Sequence, residues 1–176
     1  ISTDGLVYTF TLREGIKFHN GQLVTVQDIE YSINRSAGLL EETDSSVIID
    51  PALSNIKEIK ILDDSQIQLI LIEPNTELIG YLTAAIIPKD YNDQESKPIG
   101  TGPFLYESYS PLEKLVLVKN PDYIGDSKPY LDKVTFKVVS NTDAAFMDLQ
   151  SGTIDIFPYL TDAQAKQLEG TLRIEE

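Results

Sequence analysis

A single histidine, His19, and the lack of cysteine restrict the chemistry open to this chain of 176 residues. Ser-His-Asp and Cys-His catalysis each need a histidine beside a nucleophile, and zinc sites need several His or Cys ligands. His19 follows Phe18 and precedes the turn-forming pair Asn20-Gly21. We therefore expect His19 to be a turn residue that hydrogen-bonds local backbone, with contact to a ligand as the alternative.

Two other groupings could carry chemistry. Asp63-Asp64 and Glu41-Glu42 are adjacent carboxylates in polar stretches, where such side chains are nearly always solvated. Residues 100–103 read Gly-Thr-Gly-Pro, but they lack the lysine and the long helix that a phosphate-binding loop requires. We expect this segment to be a tight connection into a strand. The sequence thus predicts no enzyme, no cofactor and no metal site.

The net charge of −14 arises from 28 acidic and 14 basic residues. This charge repels phosphates, so nucleic acid is not an expected partner. The charge favours solubility, and the alternative is attraction of cationic ligands such as Lys- or Arg-containing peptides. The sequence shows neither a run of about 18 apolar residues nor a leader at its start. We expect any export signal to have been removed and the chain to be a piece of a longer protein.

Hydrophobic patterning in the first part of the chain predicts a strand followed by a helix. Apolar and polar residues alternate over residues 6–13, which is typical of a half-buried strand. Thr25 stands three residues before Asp28, in the spacing of a capping box that opens a helix to about residue 35. The predicted buried stripe of this helix is Val26, Ile29 and Ile33.

The middle of the chain predicts two hairpins. The runs 56–62 and 66–72 flank a polar turn and form the first, after an acidic surface loop over 36–51. A short helix capped by Asn75 or Thr76 follows, ending at about residue 82. The second hairpin pairs 104–109 with 115–119, and a structured loop occupies 120–125.

The last part of the chain predicts a βαβ unit. Its elements are a strand over 133–139, a helix over 142–150 capped near Asn141, and a strand over 154–157. Such crossovers make the two strands parallel. A helix over 162–169 and a terminal strand over 172–174 complete the pattern. The predicted fold class is therefore α+β, with a mixed sheet, hairpins and one βαβ unit.

Four phrases of the sequence resemble, in order and spacing, the family 5 extracellular solute-binding proteins. The first reads YTFTLREGIKFHNG over residues 8–21 and continues as LVTVQDIEYS over 23–32. The others read PIGTGPF over 98–104, NPDY over 120–123 and SGTIDI over 151–156. One departure is Ile124, which stands where the family usually has an aromatic residue.

The resemblance implies a periplasmic-binding-protein-like type II fold of two lobes around a hinged cleft. Residues 1–132 would form the accessory subdomain of the first lobe, and 133–176 the βαβ part of its main sheet. The second lobe would follow residue 176 and would carry the main charged anchor for the ligand. This chain would then supply one wall of the cleft.

The resemblance also implies a function. The chain would belong to the substrate-binding subunit of an ABC importer that captures extracellular peptides and delivers them to a membrane permease. The protein would lie in the periplasm or at the cell surface, with the full-length form anchored as a lipoprotein. The alternatives are a nickel chelate, haem or an oligosaccharide as the solute, or a surface lipoprotein in signalling or adhesion. Candidate ligand contacts are Thr83, Ala84, Thr101 and Gly102, with a structural role as the alternative for each.

Overall fold

The computed structural model describes residues 1–40 and 49–173. The chain divides into two compact units, one comprising residues 1–106 and 119–132, the other 107–118 and the residues from 133 onward. No helix in the described ranges has both the length and the apolar character needed to cross a bilayer.

The first unit contains a three-stranded antiparallel sheet. Its strands are β1 (Val7–Thr11), β2 (Ile56–Ile61) and β3 (Gln66–Leu71), and their order in the sheet is β1-β3-β2. Its register pairs Phe10 with Ile67 and Ile59 with Leu69, which confirms the predicted strand and first hairpin. At the hairpin turn Asp63 Oδ1 accepts the Ser65 N–H, and this hydrogen bond lowers the pKa of Asp63.

Helix α1 (Val26–Ala37) begins with the predicted capping box. The Thr25 hydroxyl accepts the Asp28 N–H, and Asp28 Oδ2 accepts the Thr25 N–H at 2.9 Å. The helix ends at Gly38, whose φ of 72° is a left-handed conformation that glycine adopts without steric cost. Local sequence therefore sets both ends of α1.

The core of the first unit lies between α1 and its sheet. Leu53, Leu69 and Leu78 are fully buried there, and each such side chain contributes about 1.5–3 kcal/mol by removal from water. Leu53 belongs to a short 3₁₀ helix (Pro51–Leu53) at the end of the predicted acidic loop. Residues 41–48 of that loop lie outside the described residues.

Helix α2 (Leu78–Tyr81) corrects the predicted cap. The N-cap is Glu77, and no side chain caps the helix. Asn75 Oδ1 instead accepts the Glu77 N–H, so its amide is used in a turn that precedes the helix. The Asn75 carbonyl accepts a 2.6 Å hydrogen bond from the Tyr8 hydroxyl, which ties this turn to β1.

The elements after residue 103 are β4 (Phe104–Ser110), β5 (Lys114–Lys119), β6 (Lys133–Lys137), α3 (Thr142–Gln150) and α4 (Asp162–Leu168). The three strands form a second sheet with the order β4-β5-β6. Neighbouring β4 and β5 confirm the second predicted hairpin, with Leu112 at φ 62° in its turn. Strands β5 and β6 are antiparallel and pair Leu117 with Val134. The capped helices α3 and α4 follow as predicted.

The predicted βαβ unit is not formed, because residues 154–157 adopt no strand. Alternating apolar residues favour a strand only where a neighbouring strand can accept its hydrogen bonds. Within the described residues no strand lies beside this segment, and Ile156 is 81% exposed. The predicted strand over 172–174 is likewise reduced to one bridge between Glu169 and Leu172, and residue 174 lies outside the described residues.

Candidate functional site

His19 joins two distant parts of the first unit. The Gly100 N–H donates to His19 Nδ1 at 3.2 Å, and His19 Nε2 lies 3.1 Å from the Gly102 carbonyl oxygen. Because Nδ1 accepts the Gly100 N–H, Nε2 carries the ring proton and donates a hydrogen bond to the Gly102 carbonyl oxygen. The backbone N–H of His19 also donates to the Gly100 carbonyl at 2.9 Å.

These contacts correct one prediction. His19 does lie in a turn, but its ring bonds backbone 81 and 83 residues further along the chain, not local backbone. Spacing in the sequence gave no signal for this pairing, since two glycines have no side chains by which a partner could be recognised.

Asn120 reaches the same carbonyl from another direction. Its Nδ2 donates to the Gly102 oxygen at 2.9 Å, and its Oδ1 accepts the Asp122 N–H at 3.0 Å. Its backbone N–H donates to Pro103, and the residue is only 5% exposed. Three of the four phrases that carry the family resemblance therefore meet here. We call the four residues His19, Gly100, Gly102 and Asn120 the His19 junction.

The fourth phrase ends a helix instead. After α3 the N–H groups of Thr153 and Ile154 both donate to the Asp148 carbonyl, at 2.8 and 3.3 Å. Gly152 permits this with a φ of 70°. The Asp148 carboxylate forms an ion pair with Lys137 of β6, with 2.6 Å between Oδ2 and Nζ. The SGTIDI phrase thus has a structural explanation within the second unit.

Next to the His19 junction lies a small pocket of about 180 Å³, here called the basic pocket. Gly102 belongs to the junction, whereas the predicted contact Thr101 lines this pocket. The pocket carries two positive charges and one negative charge. Its lining includes Arg13, Ile16, Lys17, Thr101, Asp122 and Ile124.

Tyr123 and Gly125 close one side of the basic pocket and are in intimate contact. A methyl group at Gly125 would overlap the Tyr123 ring and hydroxyl. We expect Gly125→Ala to displace the Tyr123 ring, which is the end of a flexible and partly exposed side chain, and to lower the free energy of unfolding by at most about 1 kcal/mol. Urea unfolding and the NMR shifts of the Tyr123 ring check this.

The matched control is Gly80→Ala, because a methyl group there would meet no atom within 4 Å and Gly80 lies in α2. Alanine is favoured over glycine in a helix, so this change should be neutral or stabilising. Equal stability of the two variants, with unchanged Tyr123 shifts, would contradict the predicted overlap.

A larger and mostly apolar cavity, of about 310 Å³, lies against α1, β1 and β3, and Arg13 lines both this apolar cavity and the basic pocket. The segment 82–86 contributes Leu82, Ala84 and Ile86 to its lining. Thr83 is exposed between them, and its N–H donates to the Tyr81 carbonyl. The Tyr81 hydroxyl donates to Glu77, and this hydrogen bond raises the pKa of Tyr81.

The four predicted contacts lie at different features of the first unit. Ala84 lines the apolar cavity, Thr101 lines the basic pocket, Gly102 belongs to the His19 junction, and Thr83 is exposed.

Two buried polar residues of α1 fix the segment that carries Thr83 and Ala84. Asp28, 4% exposed, accepts the Lys89 N–H on Oδ1 at 2.9 Å while its Oδ2 serves the capping box. Ser32, 1% exposed, accepts the Ile87 N–H at 2.9 Å. The capping motif revealed Asp28 in the sequence, but its second role depends on tertiary contact and had no local signal.

Comparison with known proteins places this geometry in a family. The family model described as "Bacterial extracellular solute-binding proteins, family 5 Middle" matches residues 1–175. The chain belongs to this family. The family 5 chain is 30% identical to the oligopeptide-binding protein AppA of Bacillus subtilis over 167 residues, which are 87% of this chain and 30% of AppA.

Solved structures give the same result. The periplasmic binding protein DppA of Helicobacter pylori, in complex with the peptide STSA, matches 88% of this family 5 chain with 34% identity and a TM-score of 0.74. NikZ of Campylobacter jejuni, in complex with Ni(L-His), matches 88% with 25% identity and a TM-score of 0.76. The chain covers 35% and 32% of these two structures.

These matches confirm the predicted family and the predicted α+β fold of the periplasmic binding-protein type. The family 5 chain spans about a third of the length of the curated relatives it matches.

Proposed function

We propose that this chain forms part of the substrate-binding component of an ABC importer that captures peptides and delivers them to a membrane permease. The observation that carries the proposal is the match to the peptide-bound DppA of Helicobacter pylori over 88% of the chain. Oligopeptide-binding AppA and an Escherichia coli dipeptide-binding protein are similar over 87% and 96% of the chain, in support.

The proposed contribution of this chain is one wall of the ligand cleft. Segment 82–86 is a suitable wall because Asp28 and Ser32 hold the backbone just after it through buried hydrogen bonds. Thr83 and Ala84 are the proposed ligand contacts in this segment. The other two proposed contacts are Thr101 in the basic pocket and Gly102 in the His19 junction. Residues 1–132 form the proposed accessory subdomain, and 133–176 a part of the main lobe.

The proposal places the complete protein outside the cytoplasm, as a lipoprotein that binds and does not catalyse. The family description names extracellular solute-binding proteins, which supports this location. A chain that spans about a third of its relatives encloses only part of a ligand. Because affinity depends on burying most of the ligand surface, the isolated chain should bind peptides poorly.

Calorimetric titration of the full-length protein, with the 176-residue chain run in parallel, tests the proposal. A pool of di- to hexapeptides should bind the full-length protein with a Kd of about 1 μM or below, which corresponds to about −8 kcal/mol. The chain alone should give no measurable heat in the same range.

The solute class is what this titration decides. Full-length protein that binds no peptide would contradict the peptide assignment, and nickel chelates, haem and oligosaccharides would be titrated next. NikZ in complex with Ni(L-His), at 25% identity to this chain, is the reason for beginning with the nickel chelate.

A further inference from the structure

The basic pocket holds charges of both signs that do not neutralise one another. Among the described residues, no carboxylate oxygen lies within 4.0 Å of Arg13 or Lys17, and no cation lies that close to Asp122. The chain has twice as many acidic as basic residues, and Arg13 and Lys17 are exposed, so the two cations make the mouth of this small pocket locally positive.

The fold fixes the backbone of two wall residues, Thr101 and Asp122, whereas the charged side chains of Arg13, Lys17 and Asp122 are exposed. Thr101 lies between Gly100 and Gly102, both of which bond the His19 ring. Asp122 is held through its backbone N–H by Asn120 Oδ1. A wall whose backbone is fixed in advance costs less free energy to order when a ligand arrives.

The remaining lining is apolar and the space is small. Ile16, Ile124 and the Tyr123 ring flank the charged groups. A volume of about 180 Å³ is room for one amino acid.

We propose that the basic pocket binds a free α-amino acid in its zwitterionic form. Its carboxylate contacts Arg13 and Lys17, since guanidinium and ammonium groups form charge-assisted hydrogen bonds with carboxylates. Its ammonium group contacts Asp122, and an aliphatic side chain packs on Ile16 and Ile124. The site adjoins the wall at 82–86, because Arg13 lines both the basic pocket and the apolar cavity at that wall. Binding of an amino acid here does not require that a peptide is bound at that wall.

Isoleucine-methyl NMR of the full-length protein, titrated with L-leucine, tests this assignment. Saturable shifts are expected at the methyl groups of Ile16 and Ile124. L-leucinamide lacks the carboxylate and N-acetyl-L-leucine lacks the ammonium group. Each should bind at least about tenfold more weakly, since each loses one charge-assisted contact.

Variants separate the proposal from general charge effects. Arg13→Gln and Asp122→Asn should each weaken leucine binding about tenfold. Lys57→Gln, an exposed cation of β2 outside the pocket, should leave it unchanged. The proposal is overturned if leucine gives no saturable shift, if N-acetyl-L-leucine binds as tightly as leucine, or if Asp122→Asn has no effect. The outcome is independent of whether the protein binds peptides in the calorimetric test.

Discussion

Replacing Asp28 with alanine is expected to lower the free energy of unfolding by about 3 kcal/mol, because a helix cap and a buried acceptor are lost together. Without the carboxylate, the Thr25 N–H and the Lys89 N–H each lose their acceptor. Asp28 is 4% exposed, so water cannot easily replace it. Urea unfolding measures the loss, and amide hydrogen exchange at Lys89 and Ile87 should rise.

Matched variants distinguish a loss of acceptors from general damage to α1. Asp28→Asn keeps one carbonyl oxygen and should cost about half as much. Gln27→Ala changes the exposed neighbour on the same turn and should stay within about 0.5 kcal/mol of the parent protein. If Asp28→Ala proves as mild as Gln27→Ala, the buried network does not stabilise the segment.

Replacing His19 with alanine is the second change with a large expected effect. It removes the acceptor of the Gly100 N–H and one of the two donors to the Gly102 carbonyl. The expected cost is about 2 kcal/mol, at about 1 kcal/mol for each hydrogen bond lost. Urea unfolding gives the total, and faster hydrogen exchange at the Gly100 amide locates the damage in the His19 junction.

The two ring nitrogens can be tested separately. An asparagine amide oxygen can replace Nδ1 as acceptor, and a glutamine amide nitrogen can replace Nε2 as donor. His19→Asn and His19→Gln should therefore each recover about half of the loss. Gln22→Ala, in the same turn and exposed, is the control. Full recovery by either amide would show that only one of the two hydrogen bonds contributes.

Local signals predicted most of the elements of this fold. The spacing of Thr25 and Asp28 predicts a capping box that the structure contains, and alternation predicts the hairpin of β2 and β3. Such features are decided by residues a few positions apart. The prediction of a strand at 154–157 was wrong, because a strand forms only beside a partner strand. Alternation within the segment does not specify such a partner.

The candidate site was less predictable than the fold. The phrases around His19, Gly102 and Asn120 identified the family, but their meeting at one carbonyl oxygen follows only from tertiary structure. The charges of the basic pocket come from three separated segments, at 13–17, 101 and 122–125. Spacing along the chain cannot indicate such an assembly.

The His19 junction also bears on how the chain folds. Its ring contact with Gly102 joins residues 83 positions apart, and closing a loop of that length costs conformational entropy before any contact compensates for it. The intervening sheet and α1 can form from nearer contacts, so the junction should assemble after the transition state. Stopped-flow kinetics of His19→Ala should then show faster unfolding and an unchanged refolding rate.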